Sequence, residues 1–316
     1  MLLLQQMIVL FLLMGIGLLC RKKDIITGEV SKKLSAIVVN IANPAMVLSG
    51  AMGEDKIQGK ELFTAAIVTV AVYAVLVVLA QLIPVILKVE KKSRGTYKAM
   101  TIFSNIGFMG FPVVASLYGN SALLYAALFT IPYNVLIYTY GVASMTTGGD
   151  LGEQEKDSKK NRSILAGIPL KRIFNVGVIA CIVTIAIYLS GLQMPVFVKS
   201  TVEHLSSLTA PLSMMVIGAS LADIDMKKLF TDVRILIFSA IKLLVIPVAG
   251  VFLIKCFVDN QMLWGVCMVM LATPVGSMTA MLAQQYEGDY EMASKGVALT
   301  TILSVVTIPL VSMLVL

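Results

Sequence analysis

Charged residues are scarce in this chain, and acidic ones are missing from the interior of its apolar segments. Of 316 residues, 14% are charged and 58% are hydrophobic, and the mean hydropathy is +0.90. This balance excludes a soluble domain and indicates a multi-pass membrane protein. Because proton relays and many cation sites use intramembrane carboxylates, a carboxylate-based proton shuttle is not expected.

Side chains that serve catalysis or metal binding are equally sparse. The chain has one histidine, His204, and four cysteines without the spacing of metal ligands. No nucleophile is paired with a base, and no glycine-rich loop has the lysine of a phosphate site. The net charge of +7 lies in short segments between apolar runs and does not indicate nucleic-acid binding. We therefore predict neither an enzyme nor a bound metal or organic cofactor.

Ten apolar runs are long enough to cross the hydrocarbon core of a bilayer, which takes about 20 residues. They predict an all-α fold with ten transmembrane helices, numbered here in chain order. The runs are residues 2–20, 34–52, 62–87, 97–118, 121–145, 173–191, 205–222, 230–255, 262–284 and 292–315.

Basic residues predict the orientation of these helices. The odd-numbered loops and their flanks hold twenty lysines and arginines, whereas the even-numbered ones hold four. Since loops rich in lysine and arginine stay in the cytoplasm, both termini are expected outside the cytoplasm, and the chain is expected in the cell membrane. The long connection 146–172 is predicted to be a cytoplasmic linker between two five-helix units, residues 1–145 and 173–316.

Short motifs recur between the two units. Leu-Phe-Thr at residues 62–64 returns at residues 229–231, and the same offset places Pro44 on Pro211. An offset larger by one places Asn105 on Thr273. Because each unit has an odd number of spans, the second must enter the membrane from the opposite side. The pattern predicts two inverted repeats, as in many secondary transporters.

Two of the runs contain residues that interrupt helices. Ser104 to Pro112 reads Ser-Asn-Ile-Gly-Phe-Met-Gly-Phe-Pro in the fourth run, and Thr273 to Ser277 reads Thr-Pro-Val-Gly-Ser in the ninth. Proline lacks a backbone donor and glycine weakens a helix. Interrupted helices in corresponding positions of two repeats point to a binding site, although each could also be a packed kink.

Candidate binding residues cluster in these stretches. Half-helices that begin after a break present free N–H groups, which suit a carboxylate. Carbonyl oxygens together with Asn105, Thr273 and Ser277 would also be able to hold Na⁺, so coupling to H⁺ or Na⁺ stays open. The predicted substrate-binding residues are Asn105, Ile106, Gly107, Pro112, Thr273, Pro274, Ser277, Asn43 and Lys242.

Lys242 has two interpretations. It lies about 16 Å into the eighth predicted helix, at 1.5 Å per residue. A charge at that depth is costly and marks either a pathway or a partner. With no acid deep in the runs, the partner would be an anionic substrate. Alternatively, the lysine snorkels to the interface or bonds the carbonyl groups of a broken helix.

Asn105, the Met-Gly-Phe-Pro of residues 109–112 and the Pro-Val-Gly of residues 274–276 resemble the auxin efflux carrier family, which includes the plant PIN-type exporters. The resemblance covers essentially the whole chain. It implies helices 4 and 9 broken at prolines and crossing, scaffold and transport domains each drawn from both repeats, a homodimer with elevator-like motion, and a carboxylate bound by Asn105. The short linker departs from the long regulatory loop of many plant members.

The function expected on these grounds is secondary transport of small organic anions, such as malate-like or aromatic acids. Alternating access would expose the crossing of the fourth and ninth helices to each side in turn. A ligand-binding membrane sensor or a channel with the same fold is the alternative. The sequence identifies neither the substrate nor the direction of transport.

Overall fold

The computed structural model describes residues 2–52, 57, 59–146, 173–222, 229–230 and 232–315, with only the backbone for residues 2–4. The predicted linker, apart from Thr146, lies outside the described residues. The helices are α1 Leu2–Lys22, α2 Gly28–Met52, α3 Gly59–Ile86, α4 Lys91–Ile102, α5 Ile106–Tyr118, α6 Asn120–Thr146, α7 Val176–Ser190, α8 Val196–Leu221, α9 Val233–Lys255, α10 Gln261–Ala272, α11 Ser277–Gln285 and α12 Tyr290–Val315.

The architecture is all-helical. Seven helices, namely α1, α2, α3, α6, α8, α9 and α12, are long and apolar enough to cross a membrane. Three more, α5, α7 and α10, are apolar but shorter. Within the described ranges no strand occurs, apart from one isolated bridge. The prediction of an α-helical multi-pass membrane protein is thereby confirmed.

Several helices begin at polar caps that the sequence displays. Asn175 Oδ1 accepts from the N–H of Val178 at 3.1 Å at the start of α7, and Asn260 Oδ1 accepts from the N–H of Leu263 at 2.9 Å at the start of α10. Each cap satisfies one of the N–H groups that have no partner within the helix. Such caps matter most near the bilayer, where an unsatisfied backbone group costs several kcal/mol.

Three of the prolines inside the membrane helices follow widened turns. A π-helical turn ends two residues before each of Pro44, Pro112 and Pro247. A turn with i to i+5 bonding removes the clash between the proline ring and the preceding carbonyl. It also changes the hydrogen-bond pattern where proline has no N–H to donate. The helix therefore continues through each of these prolines.

This arrangement corrects one expectation about the fourth predicted helix. The interruption was expected at Pro112 and its neighbouring glycines, but α5 runs unbroken from Ile106 through Pro112 to Tyr118. The helix is interrupted earlier, at residues 103–105, between α4 and α5. The widened turn at Ile106–Gly110 accommodates the proline, so the break lies at the serine and asparagine instead.

Helices α1 and α8 lie against each other through glycines. A Cβ on Gly17 would overlap the backbone of Met215, and a Cβ on Gly218 would overlap the backbone of Met14. Small residues at such positions let membrane helices approach closely, and close approach is what stabilises their association in lipid. This contact joins the first helix of the first unit to a helix of the second.

Candidate functional site

The two interrupted segments lie against each other. Ser104 and Val275 form an antiparallel bridge. The N–H of Asn105 donates to the carbonyl of Pro274 at 2.7 Å, and the N–H of Gly276 donates to the carbonyl of Phe103 at 2.8 Å. We call residues 103–105 and 274–276 the crossing. Each interruption satisfies the backbone of the other, which explains how non-helical segments persist inside a membrane protein.

The two hydrogen bonds of the crossing are related by a local two-fold axis. The rotation that exchanges Ser104 with Val275 also exchanges Asn105 with Gly276 and converts one hydrogen bond into the other. Asn105 and Gly276 are also the N-cap residues of α5 and α11. The sequence comparison paired Asn105 with Thr273, three residues away. A single offset taken from short motifs ignores the different lengths of the segments between those motifs.

A cavity of about 490 Å³ lies beside the crossing. That volume is within the range of small-molecule sites. None of the described residues that line it is charged. Its polar lining residues include Asn40, Asn43, Ser104, Asn105, Thr130, Tyr133, Asn134, Asn175 and Ser277.

Asn105 has a side chain that caps α5 and borders the cavity. Its Oδ1 accepts from the N–H of Phe108 at 3.3 Å, as an N-cap does. Among the described residues, its NH₂ group has no hydrogen-bond partner, so two donors remain available for a ligand. Ser277, the first residue of α11, is exposed and lines the same cavity.

Amide side chains form another part of the cavity wall. Asn175 Nδ2 donates to Asn134 Oδ1 at 2.6 Å, and Asn134 Nδ2 donates to the carbonyl of Thr130 at 2.8 Å. On α2, the buried Oδ1 of Asn43 has no hydrogen-bond partner. Gly107 lies beside that side chain, since a Cβ on it would lie 3.4 Å from Asn43 Nδ2. A buried oxygen without a partner costs free energy, so this position on α2 is polar at the expense of stability.

Lys242 lies behind the crossing and does not line the cavity. Its side chain is fully buried, and its Nζ donates to the carbonyl of Thr101 at 2.9 Å and to Ser104 Oγ at 2.7 Å. Of the two interpretations of this residue, the structure shows contact with the carbonyl end of a broken helix. The buried position also excludes snorkelling.

The other predicted residues divide between the cavity and its support. Ile106 and Gly107 line the cavity together with Asn43, Asn105 and Ser277. Three others do not line it. Thr273 Oγ1 donates to the carbonyl of Met270 at 2.9 Å, Pro274 contributes its carbonyl to the crossing, and Pro112 is buried within α5.

Asn175 is a lining residue that the sequence reasoning missed. It precedes an apolar run, which is the pattern of an N-cap, so its place at the start of α7 was readable. Its contact with Asn134 was not readable from the sequence, because the pair is formed by helices of different units.

Over residues 2–312 the sequence matches the family described as membrane transport protein. The chain belongs to this family. It is the family of the auxin efflux carriers, so the resemblance carried by the two interrupted segments is confirmed. The match extends over both units of this membrane transport protein, and not only over the crossing.

Curated relatives of this membrane transport protein span nearly its whole length. An uncharacterised transporter of Methanocaldococcus jannaschii is 24% identical over 311 residues, which cover 96% of each chain. A protein of Rhizobium meliloti that is named as a proposed malonate transporter is 23% identical over 286 residues, which cover 89% of this chain and 86% of its own. An uncharacterised transporter of Methanothermobacter thermautotrophicus is 21% identical, over 93% of this chain and 92% of its own. These names describe transporters and not enzymes.

Proposed function

We propose that this protein is a secondary transporter of small organic anions, which bind in the cavity beside the crossing. The observation that carries the proposal is the convergence of two helix N-termini, at Ile106 and Ser277, on one uncharged cavity lined by amides. Helix N-termini offer N–H groups and a partial positive charge, so a carboxylate is the ligand that they suit.

The specific contacts proposed for the carboxylate follow from the free donors. Asn105 would donate through its NH₂ group, and the first N–H groups of α11, which have no partner within the helix, would donate from the other side. Asn43 and the Asn134–Asn175 pair would contact the remainder of the molecule. The lining also contains apolar side chains, among them Phe108, Phe111 and Met281, which would pack against the apolar part of the acid.

The cavity extends from the crossing towards one side of the membrane. Ser35 and Asn40 precede Asn43 along α2, and Met281 follows Ser277 along α11. The charge pattern assigns these ends of the helices to the cytoplasm. We propose that this conformation is open to the inside, and that one domain moves against the other in an elevator-like step to expose the crossing outside.

The wider architecture is part of the same proposal. Pairing α4 with α5 and α10 with α11 would make ten spans, arranged as inverted repeats with both termini outside the cytoplasm. The matching N-cap positions of Asn105 and Gly276 at the bridge support the inverted relation. The domain division at the linker, the homodimer and the cell-membrane location come from the family resemblance and the charge pattern.

The experiment is counterflow in proteoliposomes that contain the purified protein. Labelled malonate and malate are offered outside vesicles loaded with the unlabelled acid, because a relative of Rhizobium meliloti is named for malonate. We expect saturable, exchange-dependent accumulation that Asn105→Ala abolishes. Conductance without exchange would indicate a channel, and binding without any flux would indicate a sensor.

A matched variant separates loss of binding from loss of folding. Asn260 is also an asparagine N-cap, on α10, and it does not line the cavity. Asn260→Ala is expected to retain counterflow. If Asn105→Ala transports as well as Asn260→Ala does, the proposed site is wrong.

A further inference from the structure

Helix α4 ends at membrane depth, where its last carbonyl groups need partners from outside the helix. The carbonyl of Ala99 accepts from the N–H of Phe103, and that of Ile102 accepts from the N–H of Ser104. The carbonyl of Phe103 accepts from Gly276 across the crossing. The carbonyl of Thr101 accepts from Lys242 Nζ. A lysine side chain thus completes the carbonyl end of the broken helix.

We propose that Lys242 is a tethered cation that takes the place of a coupling Na⁺ at the crossing. In many secondary transporters, the carbonyl end of a broken helix is where Na⁺ or H⁺ is coordinated. Here an amino group reaches the same kind of position from α9, at 2.9 Å from a carbonyl oxygen and 2.7 Å from a hydroxyl oxygen. If Lys242 replaces Na⁺, the transport proposed above does not depend on Na⁺, and in that respect the inference rests on the proposed function.

The charge of Lys242 is compensated by the carbonyl end of α4. The side chain is fully buried, so bulk water does not solvate it. Within the described ranges Lys242 belongs to no ion pair, whereas Glu29, Glu90 and Glu291 pair with other lysines and with Arg234. The partial negative charge of a helix C-terminus favours a cation at such a position.

At the other half of the crossing, the side-chain hydrogen bonds to the backbone come from hydroxyl groups. Near the end of α10, Thr273 Oγ1 donates to the carbonyl of Met270, and Thr300 Oγ1 accepts from the N–H of Val275. Hydroxyl groups therefore serve one interruption and an amino group serves the other. Ser104 both contacts Lys242 and lines the cavity. The lysine therefore supports the anion site indirectly, through Ser104.

The first test uses the unmodified protein. Its thermal unfolding midpoint, and the shift produced by malonate or malate, are measured in equal concentrations of sodium, potassium and N-methylglucamine chloride. We expect the same midpoint and the same shift in all three salts. A midpoint or a ligand shift that requires Na⁺ would overturn the proposal. If no acid shifts the midpoint, the proposed function fails, but the midpoint without ligand still tests the role of Lys242.

The second test removes the cation. Lys242→Met keeps the length and apolar stem of the side chain, and Lys33→Met, at a lysine whose side chain is 74% exposed, is the matched control. We expect the unfolding midpoint of Lys242→Met to be several degrees lower than that of the unmodified protein. NaCl should restore part of this loss, whereas N-methylglucamine chloride should not. The shift of the midpoint on adding malonate or malate should also be smaller in the variant. Equal behaviour of the two variants would overturn the proposal. If Lys242→Met does not fold, the salt comparison on the unmodified protein decides.

Discussion

The backbone N–H of Asn105 donates to the carbonyl of Pro274 at 2.7 Å, which joins the two halves of the chain through main-chain atoms alone. The side chain of Asn105 is therefore not needed to hold the crossing and is available to cap α5 and to face the cavity. Substitutions of this side chain test the site while the crossing stays intact.

Asn105→Ala should lose ligand binding at a modest cost in stability. Removing an N-cap costs about 1 kcal/mol, whereas the hydrogen bond to Pro274 uses the backbone and stays. Isothermal titration with malonate should show binding in the unmodified protein and none in the variant. Asn260→Ala, which removes the cap of α10 and a hydrogen bond to Tyr125, should show an equal or larger loss of stability with normal binding. Normal binding by both variants would contradict the assignment of Asn105.

Gly107→Ala should weaken ligand binding without unfolding the protein. The new Cβ would lie 3.4 Å from Asn43 Nδ2, which is an ordinary contact, and it would occupy space at the cavity wall. Replacing a helical glycine by alanine stabilises the helix by roughly 0.5–1 kcal/mol. We expect an unchanged or higher melting midpoint and a lower affinity for the acid. Gly15→Ala is the control, because its Cβ would meet nothing within 4 Å.

Gly17→Ala and Gly218→Ala should each destabilise the protein. A Cβ at either position overlaps the backbone of the facing helix, so α1 and α8 must separate. Overpacking of this kind typically costs about 1–3 kcal/mol. Thermal unfolding in detergent should show lower midpoints for both, whereas the midpoint of Gly15→Ala, on the same helix as Gly17, should be unchanged or slightly higher. Midpoints equal to that of Gly15→Ala would mean that the helices do not pack this closely.

The native cysteines test the predicted orientation. Cys256 is exposed and follows Lys255 at the end of α9, whereas Cys20 lies beside Arg21 near the end of α1. The charge pattern places the first of these ends outside and the second in the cytoplasm. A membrane-impermeant maleimide should label intact cells at Cys256 and reach Cys20 only after permeabilisation. Labelling of intact cells that persists in Cys256→Ser and is lost in Cys20→Ser would reverse the topology.

The two interruptions show which features of the broken helices could be predicted from the sequence. Clusters of glycine and proline marked the two segments, whereas single prolines did not mark breaks, since helices continue through Pro44 and Pro247. The clusters did not mark the break itself in the first segment, since the widened turn before Pro112 lets the helix continue. The structure interrupts the helix at residues 103–105, where the backbone pairs with residues of the other half.

The candidate site was predictable in part for the same reason. Asn105, Gly107 and Ser277 line the cavity, and each lies next to an interruption. Asn175 was missed because its contact with Asn134 depends on how two distant helices meet. Lys242 was recognised as unusual from its depth, but only its contact with Thr101 distinguished the two interpretations.

The sequence by itself determined the class of protein, the apolar helices and the two segments where helices are interrupted. A bilayer imposes these features locally, since each apolar run must satisfy its own backbone and exclude charge. The tertiary structure decided which polar groups meet: the register of the crossing, the Asn134–Asn175 pair, and the contact of Lys242 with the end of α4. Those contacts join residues far apart in the chain, and their geometry follows from how the helices pack, which no local pattern specifies.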